Sequence, residues 1–503
     1  MAAEENGCWL RSLGSEFPAK FQGASMTSTE AILKIFEQIS AIPHESKNEA
    51  ALRQWLIEWA ASNGLTSKKD IAGNLAIYVP ASNDRPTSPT VILQGHLDMV
   101  CQKTPDSSHD FTRDPIRFIQ DGDWLKADKT TLGADNGIAI AIAMALTEDE
   151  AISHPPLELL FTVEEESGLI GAETLDPNLL TGKTLINLDS EDDGVFTVGC
   201  SGGVSVYMNL PVQWDATEID ETFFEIKVGG LRGGHSGGDI HRHRGNANKI
   251  LARALDEIQR AVPIRLAALK GGTARNAIPR DAEAVFVCPK GYSAQCSEIA
   301  VSFEKTLRTE FGTVEHGLFL TLTKSQIRPE KYIGLDDTKK CIQFVIAMPN
   351  GVREFSATID GNIETSNNIG IINLQDDGFH VIASPRSSVA SRLEELARHA
   401  EAIAMFAGAT SKRSTMSLPW MPNLDSPILK KCVDTYESLY KQKPKIEVIH
   451  GGLECGIINE RCGGMDAISL GPTIENPHSP DERLFIPSLS RTWDFLTSLL
   501  RTI

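Results

Sequence analysis

The sequence predicts an α/β protein with a central mixed sheet flanked by helices, interrupted by an inserted α+β domain. Three observations carry this prediction. Short β-rich segments ("NLAIYV", "TVILQGHLD", "LELLFTV", "KTLINLD") share the N-terminal part with helical patterns, an alternation that implies a sheet covered on both faces. From about "CSGGVSVYMNLP" the texture changes to alternating strands such as "FFEIKVGGL" and "AEAVFV", with long helices such as "GNANKILARALDEIQRAV", which reads as a second domain inserted into the first. Helix–strand alternation then returns in "PILKKCVDTYESLY", "KIEVIHGGLECGII", "MDAISLGP" and "SLSRTWDFLTSLL".

In chain order, residues 1–25 lack a basic start followed by an apolar segment, so they read as a disordered extension and not as a secretion signal. From Thr27, helical spacing with a Thr/Ser start, a Pro-containing break and a terminal Gly predicts two helices and then a strand. "DNGIAIAIAMALTED" has the length and period of a buried helix between two strands. The amphipathic "SRLEELARHAEAIAMFAG" closes the inserted domain. The expected division is therefore 26–205 for the first part of the main domain, 206–405 for the insertion and 406–503 for the second part. Neither an internal repeat nor a low-complexity tract interrupts this pattern.

Composition narrows the function. With 48 Lys+Arg against 67 Asp+Glu the formal charge is −19, which argues against nucleic acid or an anionic membrane as partner and toward a small molecule. The longest apolar run, "IAIAIAMAL" and its neighbours after Gly137, is about half of what a membrane span requires. Nine scattered cysteines without C-x-x-C spacing suggest neither a disulfide framework nor a cysteine zinc site; they fit a reducing, cytoplasmic compartment.

Against that background one strand is anomalous. In "VILQGHLDMV", His96 and Asp98 sit two apart and so point to the same face, where an apolar core would not welcome them. Further acidic and imidazole groups fall at the ends of other predicted strands: Asp135 in "TLGADNG", Glu165 and Glu166 in "FTVEEESG", Asp189 in "LINLDSED", and His478 in "ENPHSPDER". Open α/β sheets place their sites beyond the carboxyl ends of the strands, so all these residues could reach one crevice. Converging carboxylates repel one another unless positive charge neutralises them, and two histidines with carboxylates suit zinc-like divalent ions. Singly, each motif also has a plain structural reading, as a hydrogen-bonded strand histidine, a helix cap or an acidic turn. Their joint placement at strand ends is what points to a metal.

The order H-x-D, G-A-D-N-G, E-E-x-G, L-I-N-L-D-S-E and N-P-H-S-P-D-E resembles the two-zinc metallopeptidase family twenty, within it the aminoacyl-histidine dipeptidase branch. "GLRGGHSGGDIHRHRGNANK", "TARNAIPRDAEA" and "IHGGLECGII" support the resemblance, which runs from about residue 28 to the C-terminus. It implies a metal-binding catalytic domain and an inserted lid and dimerisation domain, hence a homodimer that acts on small peptides. It implies two zinc ions per subunit, with manganese or cobalt as alternatives. Asp135 would bridge them, His96 and Asp189 would hold one, and Glu166 and His478 the other.

The resemblance also implies that Glu165 is the general base, that Asp98 orients His96, and that His235 stabilises the oxyanion from a partner subunit. Three consecutive glutamates allow a register one position away; the Thr-x-acid-Glu-Glu-x-Gly spacing assigns the base to Glu165. Asn276, Arg386, Gly451 and Gly452 are the implied substrate-binding residues, although the two glycines could simply form a tight turn. "HRHR" at 241–244 reads as a solvated helix start, and His109 and His154 receive no role. The leading expectation is hydrolysis of dipeptides with a free amino end, including Xaa-His dipeptides such as β-alanyl-histidine. The alternatives are N-acyl amino acid deacylation at the same site and a non-catalytic scaffold that keeps the fold.

Overall fold

The computed structural model describes residues 27–216, 221–325 and 328–503. The expected N-terminal extension lies outside these residues. The described residues form two compact units, one within 27–198, 423–447 and 453–503 and the other within 199–422 and 448–452. Among the described residues, no helix is long and apolar enough to cross a membrane.

The first unit opens with helix Ser28–Ser40, started by a capping box in which the Thr27 side chain and Glu30 satisfy each other's backbone amides. It packs through Ile32, Ile35 and Phe36, all buried. An eight-stranded sheet follows, in the order Thr66–Lys69, Leu75–Val79, Leu157–Thr162, Val91–His96, Thr184–Asn187, Asp466–Ser469, Val195–Cys200 and Lys445–Ile449. Val91–His96 runs parallel to both Leu157–Thr162 and Thr184–Asn187, and Thr184–Asn187 runs parallel to Asp466–Ser469. Strands 75–79 and 195–200 join antiparallel, so the sheet is mixed, as expected. The parallel centre matters most, because it brings four strand carboxyl ends to one edge.

Helix Ala134–Glu148 is buried over nearly its whole length from Asn136 to Leu146, which explains a sequence with no polar stripe. Its first residues, Asp135 and Asn136, have non-helical φ/ψ and a cis peptide between them. A smaller four-stranded sheet, Phe118–Asp121, Trp124–Ala127, Arg483–Phe485 and Ile474–Glu475, carries the loop of His478.

The second unit is α+β. Its ten-stranded sheet includes Glu221–Gly229, Arg265–Gly271, Ala282–Pro289 and the long hairpin Ile363–Gln375/Gly378–Ser387. Helices Ala247–Ala261, Leu335–Ala347 and Ala390–Ala407 contribute to its core, with Phe224 stacked on Phe286, ring centroids 5.5 Å apart. The unit runs on to Pro422 because Thr410–Arg413 pairs with Val206–Leu210; the sequence reading had set its far edge at 405.

Candidate metal centre

His96, Asp98, Asp135, Glu165, Glu166, Asp189 and His478 all belong to the first unit, and four of them sit at the strand ends just described. His96 ends its strand, Glu165 and Glu166 follow strand 157–162, and Asp189 follows strand 184–187. Asp135 begins the buried helix, and His478 sits between the two short strands at 474–475 and 483–485. The backbone is left-handed at Glu164, Asn476 and His478, with φ of 50°, 54° and 61°. Non-glycine residues seldom adopt this conformation outside functional sites and turns.

Asp135 is the hub. Its Oδ1 lies 3.1 Å from His96 Nε2 and its Oδ2 lies 3.0 Å from His478 Nε2. His96 Nε2 is also 3.5 Å from Asp189 Oδ1, and His478 Nε2 is 2.9 Å from Glu166 Oε1. Two donor groups therefore share one carboxylate: His96 with Asp189, and His478 with Glu166. Tetrahedral zinc with bonds near 2.0–2.1 Å holds neighbouring donors about 3.3 Å apart, which these separations approach. Glu165 also comes within reach of His96 and Glu166, whereas Glu164 turns away toward Ser167.

The protonation pattern supports a cation here. His96 Nδ1 lies 2.9 Å from the carbonyl of Asp98. A carbonyl can only accept, so Nδ1 carries a proton and Nε2 faces the carboxylates; with no metal between them, Asp189 and Asp135 raise the imidazole well above its usual range against burial, so Nε2 is a place for a proton or a cation. Glu166 Oε1 is buried and makes no properly directed hydrogen bond despite its closeness to His478. Lone pairs converging in this way require a proton or a metal between them. Without a metal, the Asp135 and Glu166 carboxylates that face it push the His478 imidazole up to about 11. Burial pushes Asp189 up to about 6 against the pull of His96, and burial also raises Glu165 well above the carboxylate range, with Asp189, Glu454 and Glu166 adding to it against His96. Burial opposes ionisation of Asp135, but His478 and His96 outweigh it and hold the group low. The donor set fits divalent metal.

Asp98 does more than the sequence suggested. Its carboxylate is 3.5 Å from His96 Nδ1, farther than its own carbonyl. It accepts instead from the backbone amides of Glu165 and Glu166, at 3.0 and 3.1 Å, and from Ser46 Oγ at 2.7 Å. One buried carboxylate thus sets the backbone of both glutamates.

Sequence reasoning missed a polar layer beneath the site. The fully buried Glu454 accepts from Gln94 Nε2 and Thr162 Oγ1, both at 2.6 Å, and burial pushes its carboxyl up to about 7. Gln94 Oε1 in turn accepts from Asn187 Nδ2 at 2.6 Å. Asn136 links two strand ends, accepting from the His96 amide at 3.2 Å and donating to the Leu188 carbonyl at 3.0 Å. The only sequence signal was polar residues inside apolar strands.

The remaining expected residues belong to the second unit. His235 lies in a short bridge with Ala277, and its Nδ1 accepts from the Gly238 amide at 3.1 Å. Asn276 is exposed, and its carbonyl accepts from the Ser236 amide. Arg386 Nε is buried without a hydrogen-bond partner, and burial together with Arg275 lowers its pKa. His450, which the sequence reading did not single out, is buried with Nε2 2.7 Å from Ser366 Oγ and Nδ1 unpartnered. Gly451 is not left-handed, and a Cβ there would meet open space. Residues 241–244 precede the helix that starts at Ala247.

Comparison with known proteins identifies the family and the fold. A family model described as peptidase family M20/M25/M40 matches residues 92–502. The chain is 38% identical over 479 residues to the cytosol non-specific dipeptidase of Escherichia coli K12, covering 95% of this chain and 99% of that one. It is also similar to the crystal structure of aminoacylhistidine dipeptidase from Vibrio alginolyticus, with a TM-score of 0.85 and 38% identity over 96% of this chain and 99% of that one. Aminopeptidase PepT from Bacillus cereus shares the fold, with a TM-score of 0.55 and 17% identity over 94% of this chain and 98% of that one.

Proposed function

The chain belongs to peptidase family M20/M25/M40, and from that premise we propose that it hydrolyses dipeptides with a free amino end at a two-zinc centre. The observation that carries this reading is the sharing of Asp135 between two imidazole–carboxylate donor groups. His96 and Asp189 would hold one ion and Glu166 and His478 the other, with Asp135 as their shared ligand. When bound, zinc, or manganese or cobalt in its place, polarises the scissile carbonyl and brings the pKa of water to about 7.

Glu165 is the general base. It takes a proton from the attacking water and delivers it to the departing amine, a role suited to a carboxyl whose proton affinity burial has raised. Asp98 acts through position, holding the Glu165 and Glu166 amides and lying behind His96. In the second unit, His235 donates to the developing oxyanion, Arg386 pairs with the substrate carboxylate, and Asn276 and the amides around Gly451 and Gly452 orient the substrate. The protein acts as a homodimer through its second unit, with the partner's copy of that unit serving the site. It works in the cytosol, where the eight described cysteines, all free, are at home. Xaa-His dipeptides, β-alanyl-histidine among them, are included among the substrates, in keeping with the name of the Vibrio relative.

Amino acid release from β-Ala-His, ordinary dipeptides, a tripeptide and N-acetyl amino acids, with metal and then with chelator, tests the proposal. Chelator-sensitive cleavage of the dipeptides is expected. Cleavage of the acetylated compounds alone would make the protein a deacylase, and no cleavage with metal bound would leave the scaffold reading.

A further inference from the structure

Glu482 lies four residues after His478 and is 2% exposed. Its Oε2 accepts from the amides of Leu132 and Gly133 at 2.8 and 3.1 Å, and its Oε1 from those of Ala134 and Asp135 at 2.8 and 3.3 Å. One carboxylate thus gathers the four consecutive amides of the turn that ends in Asp135. The first amides of a helix lack intrahelical partners, and a nearby side chain ordinarily caps one of them. Gly133, in the cap position here, can supply no such side chain. The cap comes instead from a residue 350 positions away, on the loop that carries His478.

That choice of partner has a consequence for the metal. Asp135 and His478 stand on separate loops and must meet to share an ion. A carboxylate that binds one loop and belongs to the other fixes their relative position before any ion arrives. The ordering cost is then met in folding and does not weaken metal affinity.

We propose that Glu482 is a positioning residue of the metal centre, locking the Asp135 turn to the His478 loop in the metal-free protein. The inference rests on Asp135 and His478 being ligands. A matched comparator exists in the same unit: Glu158, 3% exposed, accepts from the Thr181 and Gly182 amides and from Thr181 Oγ1. It sits near the start of its strand, away from the carboxyl end that leads to Glu165.

The test is metal affinity measured by competition with a chromophoric zinc chelator on Glu482→Gln, Glu158→Gln and Asp135→Asn, each checked for folding by circular dichroism. Removing supporting partners of metal ligands typically costs 10–100-fold in affinity, and a loss of about that size is expected in E482Q, with E158Q within about twofold of the parent. A folded E482Q with parental affinity, or an equal loss in E158Q, would overturn the proposal. D135N separates the two levels: if it keeps full affinity, the ligand reading fails and this inference with it. If D135N loses metal while E482Q does not, only the inference fails. Should E482Q not fold, hydrogen exchange on the unaltered protein decides. The amides of Leu132, Gly133 and Ala134 are expected to be protected even after chelation, and free exchange of all three in the metal-free protein would refute the locking role.

Discussion

Replacing Asp98 by Asn changes almost no volume and removes one charge, so its effects report what the carboxylate does. Asp98 is 1% exposed and accepts three hydrogen bonds, from the Glu165 amide, the Glu166 amide and Ser46 Oγ. The Asn amide nitrogen must face either the Glu165 amide or the Glu166 amide with Ser46, setting donor against donor. In the less costly placement one charge-assisted bond, worth about 1.5–3 kcal/mol, is lost and two others fall to neutral strength near 1 kcal/mol. The net cost is about 5 kcal/mol, concentrated at the backbone of the proposed base and of one proposed ligand.

We expect zinc affinity to fall about 10–100-fold and turnover to stay at least about tenfold low when zinc is saturating, because Glu165 is displaced along with Glu166. A chelator-competition titration followed by initial rates at saturating zinc measures both. Full recovery of turnover at saturating zinc would mean that Asp98 works only through His96. Parental affinity and turnover together would refute the reasoning.

Glu165→Gln is expected to retain metal while losing about 10²–10⁴ in turnover, about 3–5 kcal/mol of barrier; metal analysis alongside rates checks it, and a fully active variant with unchanged metal would remove Glu165 from the base role. His450 gives a pH prediction. Burial, then Arg386 and His235, holds its imidazole down at about 3, whereas the unfolded residue titrates near 6.5. Between these values the unfolded chain binds more protons, so stability falls as pH drops, by about 1.4 kcal/mol per unit. His450→Gln should therefore lessen the stability lost between pH 7 and pH 5 by about 2 kcal/mol in denaturant unfolding of the chelated protein; parallel curves for the two proteins would contradict the buried neutral state.

The candidate metal-binding constellation was legible because a parallel sheet collects strand carboxyl ends, and a polar residue at the end of an apolar strand is visible without tertiary information. His96, Glu165, Glu166 and Asp189 are of this kind. The supporting shell was not legible for the converse reason. Glu482, in "SPDER", and Glu454, in "GLECG", look like ordinary polar residues until distant segments close over them, the first at 350 positions from its partners. Asp98 was read as a partner of the imidazole because that neighbour is local, while its stronger bonds go to a backbone 67 positions on. In the second unit, strand Ile363–Gln375 carries "TSNN" in its buried part, a pattern that argues against a central strand. Asn367 and Asn368 are tolerated there because they donate to the carbonyls of Pro349 and Ala277. Thr410–Arg413 is polar throughout and gains its strand pairing from Val206–Leu210, a contact no local pattern announces.

The central claim is that two metal ions share Asp135. Metal counted per chain by mass spectrometry, on the unaltered protein and on Asp135→Asn after equal dialysis against zinc, tests it most directly. The account predicts two ions per chain and turnover proportional to their occupancy, with fewer than one ion and negligible turnover in D135N. Full turnover with a single ion, or two ions retained by D135N, would contradict it.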